Sequence, residues 1–387
     1  MPNKRLNGIG DVMNNILKVE FYDDFNCIAD GCSFTCCQGW EIIVDIDTYN
    51  KWKSNEMKFG YILKDIKTKK VGKEAQYFIK MGNKMHCPFL DKKGLCDIVI
   101  RCGEDCLSKA CGLFPRLENT FENLKEYSLS CACPTVVDLI NNSDEKLKIS
   151  YEGDENIWDN ISIEHKIRKV MINILQNNRF SLNNSILIIF NMLIFIKKEP
   201  SISEEIINNF KDEKYLLLLI DSWSGIELDN EDSCNEINEL FIDIVLNYKK
   251  VKSFSEYLKD ISYLAEDGEV GRSHIEWNDF KKVFAQYDKL IENCIVSKVF
   301  GNCISDNIDD SIKSFQVVIT EYVMVKYSAF LRWLINEKKE ICFHDIQDYI
   351  VIYSRIIEHN SDGIIEFWKD NFDEALWEFG YMFLIIN

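Results

Sequence analysis

The sequence predicts a mainly α-helical fold in two parts: a cysteine-rich N-terminal domain, residues 1–145, followed by an all-helical C-terminal domain, residues 155–387. Three observations predict it. Eleven of the fifteen cysteines lie in the first 133 residues. Four of the five prolines (Pro2, Pro88, Pro115 and Pro134) lie in the same region or at its edge, leaving only Pro200 to interrupt the rest of the chain. Beyond residue 155 apolar side chains recur at three- and four-residue steps, as in Phe280, Val283, Phe284, Tyr287, Leu290 and Ile291, the period of a helix that buries one face.

In chain order, the N-terminal part reads as short helices and loops. Glu41–Asp45 has the Ile/Val content of a short strand, and Asp47 suits a helix cap. Residues 141–145, Asn-Asn-Ser-Asp-Glu, read as a linker. The helical pattern then covers 161–176, 184–197, 202–209, 214–222, 237–247, 253–265, 277–300, 312–336, 346–359 and 373–385, punctuated by Pro200-Ser201 and Asp267-Gly268.

A chain of 387 residues with 47% hydrophobic and 28% charged residues is long enough for a well-buried core. Its net charge of −18 argues against a nucleic-acid partner, whose phosphates need basic clusters, and favours lysine-bearing partners. No apolar signal region follows Lys4 and Arg5, and the apolar stretches Ile186–Ile196 and Tyr215–Ile220 are too short to cross a bilayer. The expected location is cytoplasmic. Thiols stay reduced there, so clustered cysteines point to a metal centre rather than a disulfide framework.

The clusters come from separate stretches of chain: Cys27-x4-Cys32-x3-Cys36-Cys37-Gln-Gly-Trp40, Cys87-Pro-Phe-Leu90, Gly94-Leu-Cys96, Cys111-x2-Phe-Pro-Arg116 and Cys131-x-Cys133-Pro134. Thiolates suit zinc or an iron–sulfur cluster. Paired C-x2-C knuckles are absent, which favours the cluster, since it accepts irregular spacing. The C-x3-C-x2-C spacing of radical enzymes is absent as well. Cys102, Cys106 and Cys131 stay open between ligand and core, while Cys234, Cys294, Cys303 and Cys342 read as core.

In this order the motifs, with Ser128-Leu-Ser before Cys131, resemble the flagellin lysine-N-methylase family and the wider group of cysteine-rich proteins named for a CxxCxxCC box. Ile291-Glu-Asn293, Glu321-Tyr322, Lys326-Tyr327, Tyr353-Ser-Arg355 and Ile357-Glu-His-Asn360 are similar to its helical region. The resemblance implies methyl transfer from S-adenosylmethionine to flagellin lysines and a [4Fe–4S] cluster, with zinc as the alternative. Its ligands would fall on Cys27, Cys32, Cys36, Cys37, Cys87, Cys96, Cys111 and Cys133.

Methylation needs a neutral amine, and free lysine titrates near about 10.4, so a base or a desolvating pocket is required. Candidates are Glu292, Glu321, Tyr322, Tyr327, Glu358 and His359. His86 and Arg116 stand beside cysteine motifs as further candidates for ligation or for shaping the shell. No glycine-rich nucleotide-binding turn occurs, so the doubly wound donor fold is disfavoured. Two rival readings use the same residues: a non-catalytic metal-stapled binding module, and a thiol redox or metal sensor.

Overall fold

The structure is a computed structural model. It describes residues 15–71, 74–82, 86–143, 145–153, 161–249, 251–267, 274–358, 361–371 and 378–387. It is mainly helical, and most helices start where a short polar side chain can take up a free backbone N–H. Ser162 caps α6 (Ile163–Leu175), Ser181 caps α7 (Leu182–Lys198), and Asn307 caps α15 (Ile308–Ile335). The 28-residue α15 is buried on every side from Phe315 to Leu331 and forms the axis of the helical body. Around it pack α7, α14 (Asp288–Asn302) and α16 (Phe343–Ile356).

Several helical boundaries differ from the periodicity, and the helix expected over 237–247 already starts at Asn230. The helix expected over 253–265 breaks at the buried Leu258 into α11 (Lys252–Tyr257) and α12 (Lys259–Glu266), with Tyr257 anchored to Asp348. The one expected over 277–300 is divided by a 3-10 turn, Ala285–Tyr287, between α13 (His274–Phe284) and α14. The Tyr287 hydroxyl donates to the Ile341 carbonyl at 2.7 Å, which fixes that turn. Ser361–Asn371 is an additional helix, α17. The expected 373–385 helix is described as α18, Phe379–Ile386, and residues 372–377 lie outside the described residues.

The N-terminal expectation of short helices and loops holds in part, and the strand expected at Glu41–Asp45 is found in one of two sheets. Strands β1 (Asn15–Val19), β5 (Arg116–Thr120), β6 (Leu124–Leu129) and β7 (Ile149–Glu152) lie in the order β5-β6-β1-β7, with β1 parallel to β6 and the other pairs antiparallel. Strands β2 (Ile43–Val44), β3 (Ile66–Val71) and β4 (Glu74–Ile79) form the second sheet, β2-β4-β3. Polar content hid β3, whose Ile-Lys-Thr-Lys-Lys-Val reads as a solvated loop. The helix cap near residue 46 is Asp45, not Asp47; its Oδ1 accepts from the Thr48 amide at 3.0 Å and starts α1 (Ile46–Ser54).

Apolar packing forms two cores. The larger unites β1, β6 and α5 (Pro134–Asn141) with the helices beyond residue 162. Helix α14 lies hard against β6: a Cβ on Gly301 would stand 2.5 Å from Ser128 Oγ, so any larger residue there would have to displace that side chain. The smaller core holds Ile42, Val44, Trp52, Phe59, Ile62, Ile79, Phe89 and Ile98 together with Cys87 and Cys106. Among the described residues no helix is long and apolar enough to cross a membrane.

Candidate thiol site and buried charge network

The last turn of α16 enters the cysteine loops. Arg355, buried there, donates from Nε to the Ala132 carbonyl at 2.9 Å, from Nη1 to Thr35 at 2.8 Å and from Nη2 to Phe34 at 2.8 Å. Its guanidinium lies 5.1 Å from the Trp40 ring and 5.2 Å from Phe34. One side chain thus clamps the Cys32–Trp40 loop to the Ser130–Cys133 loop. Cys32, Cys36, Cys37 and Cys133 all lie within reach of its charge.

Around this clamp the thiols gather. Cys37 lies within interaction range of the Cys36 and Cys87 thiols, and the Cys87 amide donates to the Cys37 carbonyl at 2.8 Å. Cys111, on α4 (Lys109–Leu113), lies in electrostatic range of Cys36 and Cys96. Cys32 lies in the same range of Cys36 and Cys27, and Cys133 of Cys32. Burial pushes Cys111 and Cys133 up to about 11. For Cys36 the interaction with Cys37 raises the thiol first and burial adds to it. For Cys37 the interaction with Cys36 pulls downward, but Cys87 and burial outweigh it and carry the thiol to about 12. All eight expected ligands are free thiols. Among the described residues no group of three or more His, Cys, Asp or Glu is placed to hold a metal ion.

The open cysteines have other contacts. Cys106 donates to the Cys102 carbonyl at 3.2 Å, Cys102 meets the Tyr61 hydroxyl at 3.6 Å, and Cys131 lies within interaction range of the Cys294 thiol. His86 is exposed and paired through its backbone with Gln38. Arg116 donates to the Phe25 carbonyl at 3.0 Å and stacks on Tyr22 and Phe25.

A buried charge network adjoins the clamp. Lys298 Nζ lies 2.6 Å from Glu321, 2.9 Å from Glu358 and 2.7 Å from Ser354 Oγ, and Ser130 donates to Glu358 at 3.2 Å. Burial alone would discharge Lys298, but the two carboxylates outweigh it and hold the ammonium charged. Two carboxylates against one cation leave a surplus negative charge in a buried site. Burial accordingly raises Glu321 to about 7 against the pull of Lys298, and its Oε1 has no hydrogen-bond partner.

Glu321 and Glu358, both candidates from the sequence, are therefore brought together by a lysine that residue spacing did not single out. The available signal was that α14 is buried almost throughout from Leu290 to Gly301, so a lysine inside it needed a partner. The other candidates are dispersed. Tyr322 donates to Asn183 at 2.6 Å, Tyr327 to Asn238 at 2.8 Å, and Glu292 accepts from Lys289 at 2.8 Å. His359 lies outside the described residues.

These features define a mainly helical protein whose thiol-rich loops are tied to its body at Arg355. The family described as the FliB lysine N-methylase C-terminal domain matches residues 168–385, more than half of the chain, and the chain belongs to that family. It is similar to the lysine-N-methylases of Salmonella typhimurium and Salmonella choleraesuis, each 22% identical over 88% of this chain and 91% of the relative. It also resembles the flagellar biosynthetic protein FliU of Salmonella muenchen, at 29% identity over 33% of this chain and 78% of that protein. No solved structure matches it.

Proposed function

We propose that this protein transfers methyl groups from S-adenosylmethionine to lysine side chains of flagellin in the cytoplasm, and that its thiol pole carries a [4Fe–4S] cluster. Family membership supports methyl transfer. The observation that carries the cluster is the gathering of free thiols around Arg355. Cys27, Cys32, Cys36, Cys37, Cys87, Cys96, Cys111 and Cys133 supply the pool from which four ligands would come, and their donor chemistry fits a thiolate-bound iron centre better than an oxygen-liganded ion. When bound, such a cluster supplies charge and electron-transfer capacity.

In the transfer itself the neutral lysine Nζ attacks the donor methyl carbon. The C–S bond breaks with its electron pair passing to sulfur, and the new methylammonium sheds a proton to a base or to water. The net charge of −18 favours encounter with lysine-bearing surfaces.

The test is anaerobic purification with iron and sulfide quantification, followed by mass spectrometry of flagellin incubated with the methyl donor. About four iron and four sulfide per chain are expected. Cys36→Ser and Cys96→Ser are expected to lose cluster and methylation together. An iron-free, fully active Cys36→Ser protein removes the cluster from the function, and stoichiometric zinc in place of iron turns the centre into a structural staple.

A further inference from the structure

The charge network of Lys298, Glu321 and Glu358 is joined to the thiol loops at two points. Ser130, which donates to Glu358 at 3.2 Å, also accepts the Ala132 amide at 3.2 Å, in the turn that carries Cys131 and Cys133. On α16 the clamp residue Arg355 directly follows Ser354, whose hydroxyl lies 2.7 Å from Lys298 Nζ and 3.2 Å from Glu321 Oε2. Cys131 is itself in electrostatic range of Lys298. A change of charge at the thiol loops is therefore felt in the network, and burial strengthens that coupling.

The network has one place to put a proton. Facing Glu321 are Lys298, Cys294 and Cys303 from α14 and its end, and Ser354 and Glu358 from α16 and its end. Lys298 and Ser354 both sit on Oε2, whereas Oε1 is buried with no hydrogen-bond partner. An unpartnered buried oxygen costs most while its carboxylate is charged. Burial holds Glu321 at about 7 against the pull of Lys298, so its charged and protonated forms are close in free energy at neutral pH. The facing thiols do not compete: burial pushes Cys303 up to about 12, and the Cys131 thiol together with burial raises Cys294 well above its usual range. Glu358 is the more exposed carboxylate, 11% against 5% for Glu321, and Lys298 bridges the two, which gives a proton from solvent a route inward.

We propose that Glu321 is the proton acceptor coupled to the metal centre of the thiol loops: when that centre takes up one electron, one proton from solvent binds Glu321 Oε1. The electron comes from a one-electron reductant in solution, and electron and proton together leave the charge of the buried region unchanged. Glu321 is in this role a positioning residue for charge, not a ligand, and sets the potential as net charge and hydrogen bonds do around iron–sulfur clusters generally. The inference rests on the iron–sulfur reading of the thiols.

The experiment is a potentiometric titration of the anaerobically purified holoprotein with dithionite and redox mediators, from about pH 6 to about pH 9, with iron and sulfide counted first. The midpoint potential of the wild type is expected to stay level below about pH 7, where Glu321 is already protonated, and to fall above it. The fall tends toward a tenfold change in the one-electron equilibrium per pH unit, about 59 mV. Glu321→Gln with the same iron content is expected to give a level potential throughout. His359→Ala, which removes the histidine next to Glu358 in sequence, is expected to keep the wild-type slope. Where the glutamine variant does not fold, the wild type supplies a second reading: its reduced-minus-oxidised infrared difference spectrum at about pH 8 gains a protonated-carboxyl band. With full iron loading, a level wild-type potential or the absence of that band overturns the proposal, as does a slope kept by Glu321→Gln or lost in His359→Ala. A protein without iron removes the cluster reading itself, and this inference with it.

Discussion

The two cores of this molecule are held together by different means. The helical body buries aliphatic and aromatic side chains along α7, α14, α15 and α16, and each fully buried one contributes roughly 1.5–3 kcal/mol of transfer free energy. The smaller core around Trp52 has few such side chains and surrounds them with thiols. Its order depends on polar and aromatic attachments: Trp52 Nε1 donating to the Cys106 carbonyl at 3.0 Å, the Lys109 amide donating to Asp45 at 2.8 Å, and Trp40 against Phe114 at 5.1 Å. Between the cores stands Arg355. The comparison teaches that the helical body can form from apolar burial, whereas the thiol pole needs the body, and in our reading a bound metal centre, to take its shape.

The most severe way to break this comparison is Lys298→Ala. It leaves Glu321 and Glu358 buried without their cation at the junction of α14, α15 and α16, and is expected to cost about 3–5 kcal/mol. Urea denaturation checks it, and a loss below about 1 kcal/mol would show that the network is hydrated.

Arg355→Ala should separate the two regions rather than melt both. Three backbone carbonyls lose a charged donor, and the expected cost is about 3 kcal/mol. Hydrogen exchange should accelerate at residues 34–36 and 131–133 while α15 amides stay protected. Uniform acceleration would mean that the pole and the body unfold as one unit.

A smaller effect appears in pH dependence. Glu321 is raised from 4.5 to about 7 in the folded state, so its contribution is most favourable at low pH and is lost as pH climbs through that interval. Stability of the wild type relative to Glu321→Gln should therefore fall between pH 4.5 and 7. His165 works in the opposite sense: burial holds it near 4, so its contribution is lost as pH falls from 6.5 toward 4. Subtracting the Glu321→Gln stability curve from that of the wild type isolates the first effect from the second.

The mildest change is Asp45→Ala. It removes the cap of α1 and the acceptor for Lys109, at about 1–2 kcal/mol, and should loosen the Cys111 helix without touching the helical body. Proteolysis confined to the region before residue 116 would agree; a drop in the midpoint of helix unfolding would not.

The helical body was legible because its signals are local. Period-3.6 apolar spacing, the Pro200-Ser201 and Asp267-Gly268 breaks and an almost proline-free run all act within a few residues of one another. The cysteine motifs were equally legible, and with them the family. Of the sheets only β2, within the strand expected at Glu41–Asp45, was legible, because β1 pairs in parallel with β6 more than a hundred residues away, and polar strand residues such as those of β3 give no periodic signature of their own.

By itself, then, the sequence determined a helical body, a thiol-rich N-terminal stretch and the family to which the chain belongs. Only the tertiary structure decided which of its charged residues act together. Lys298, Glu321 and Glu358 sit on different segments, and Arg355 reaches loops more than two hundred residues earlier. A buried charge is tolerated only beside its partner, and that pairing is a property of packing, which residue spacing along one helix does not encode.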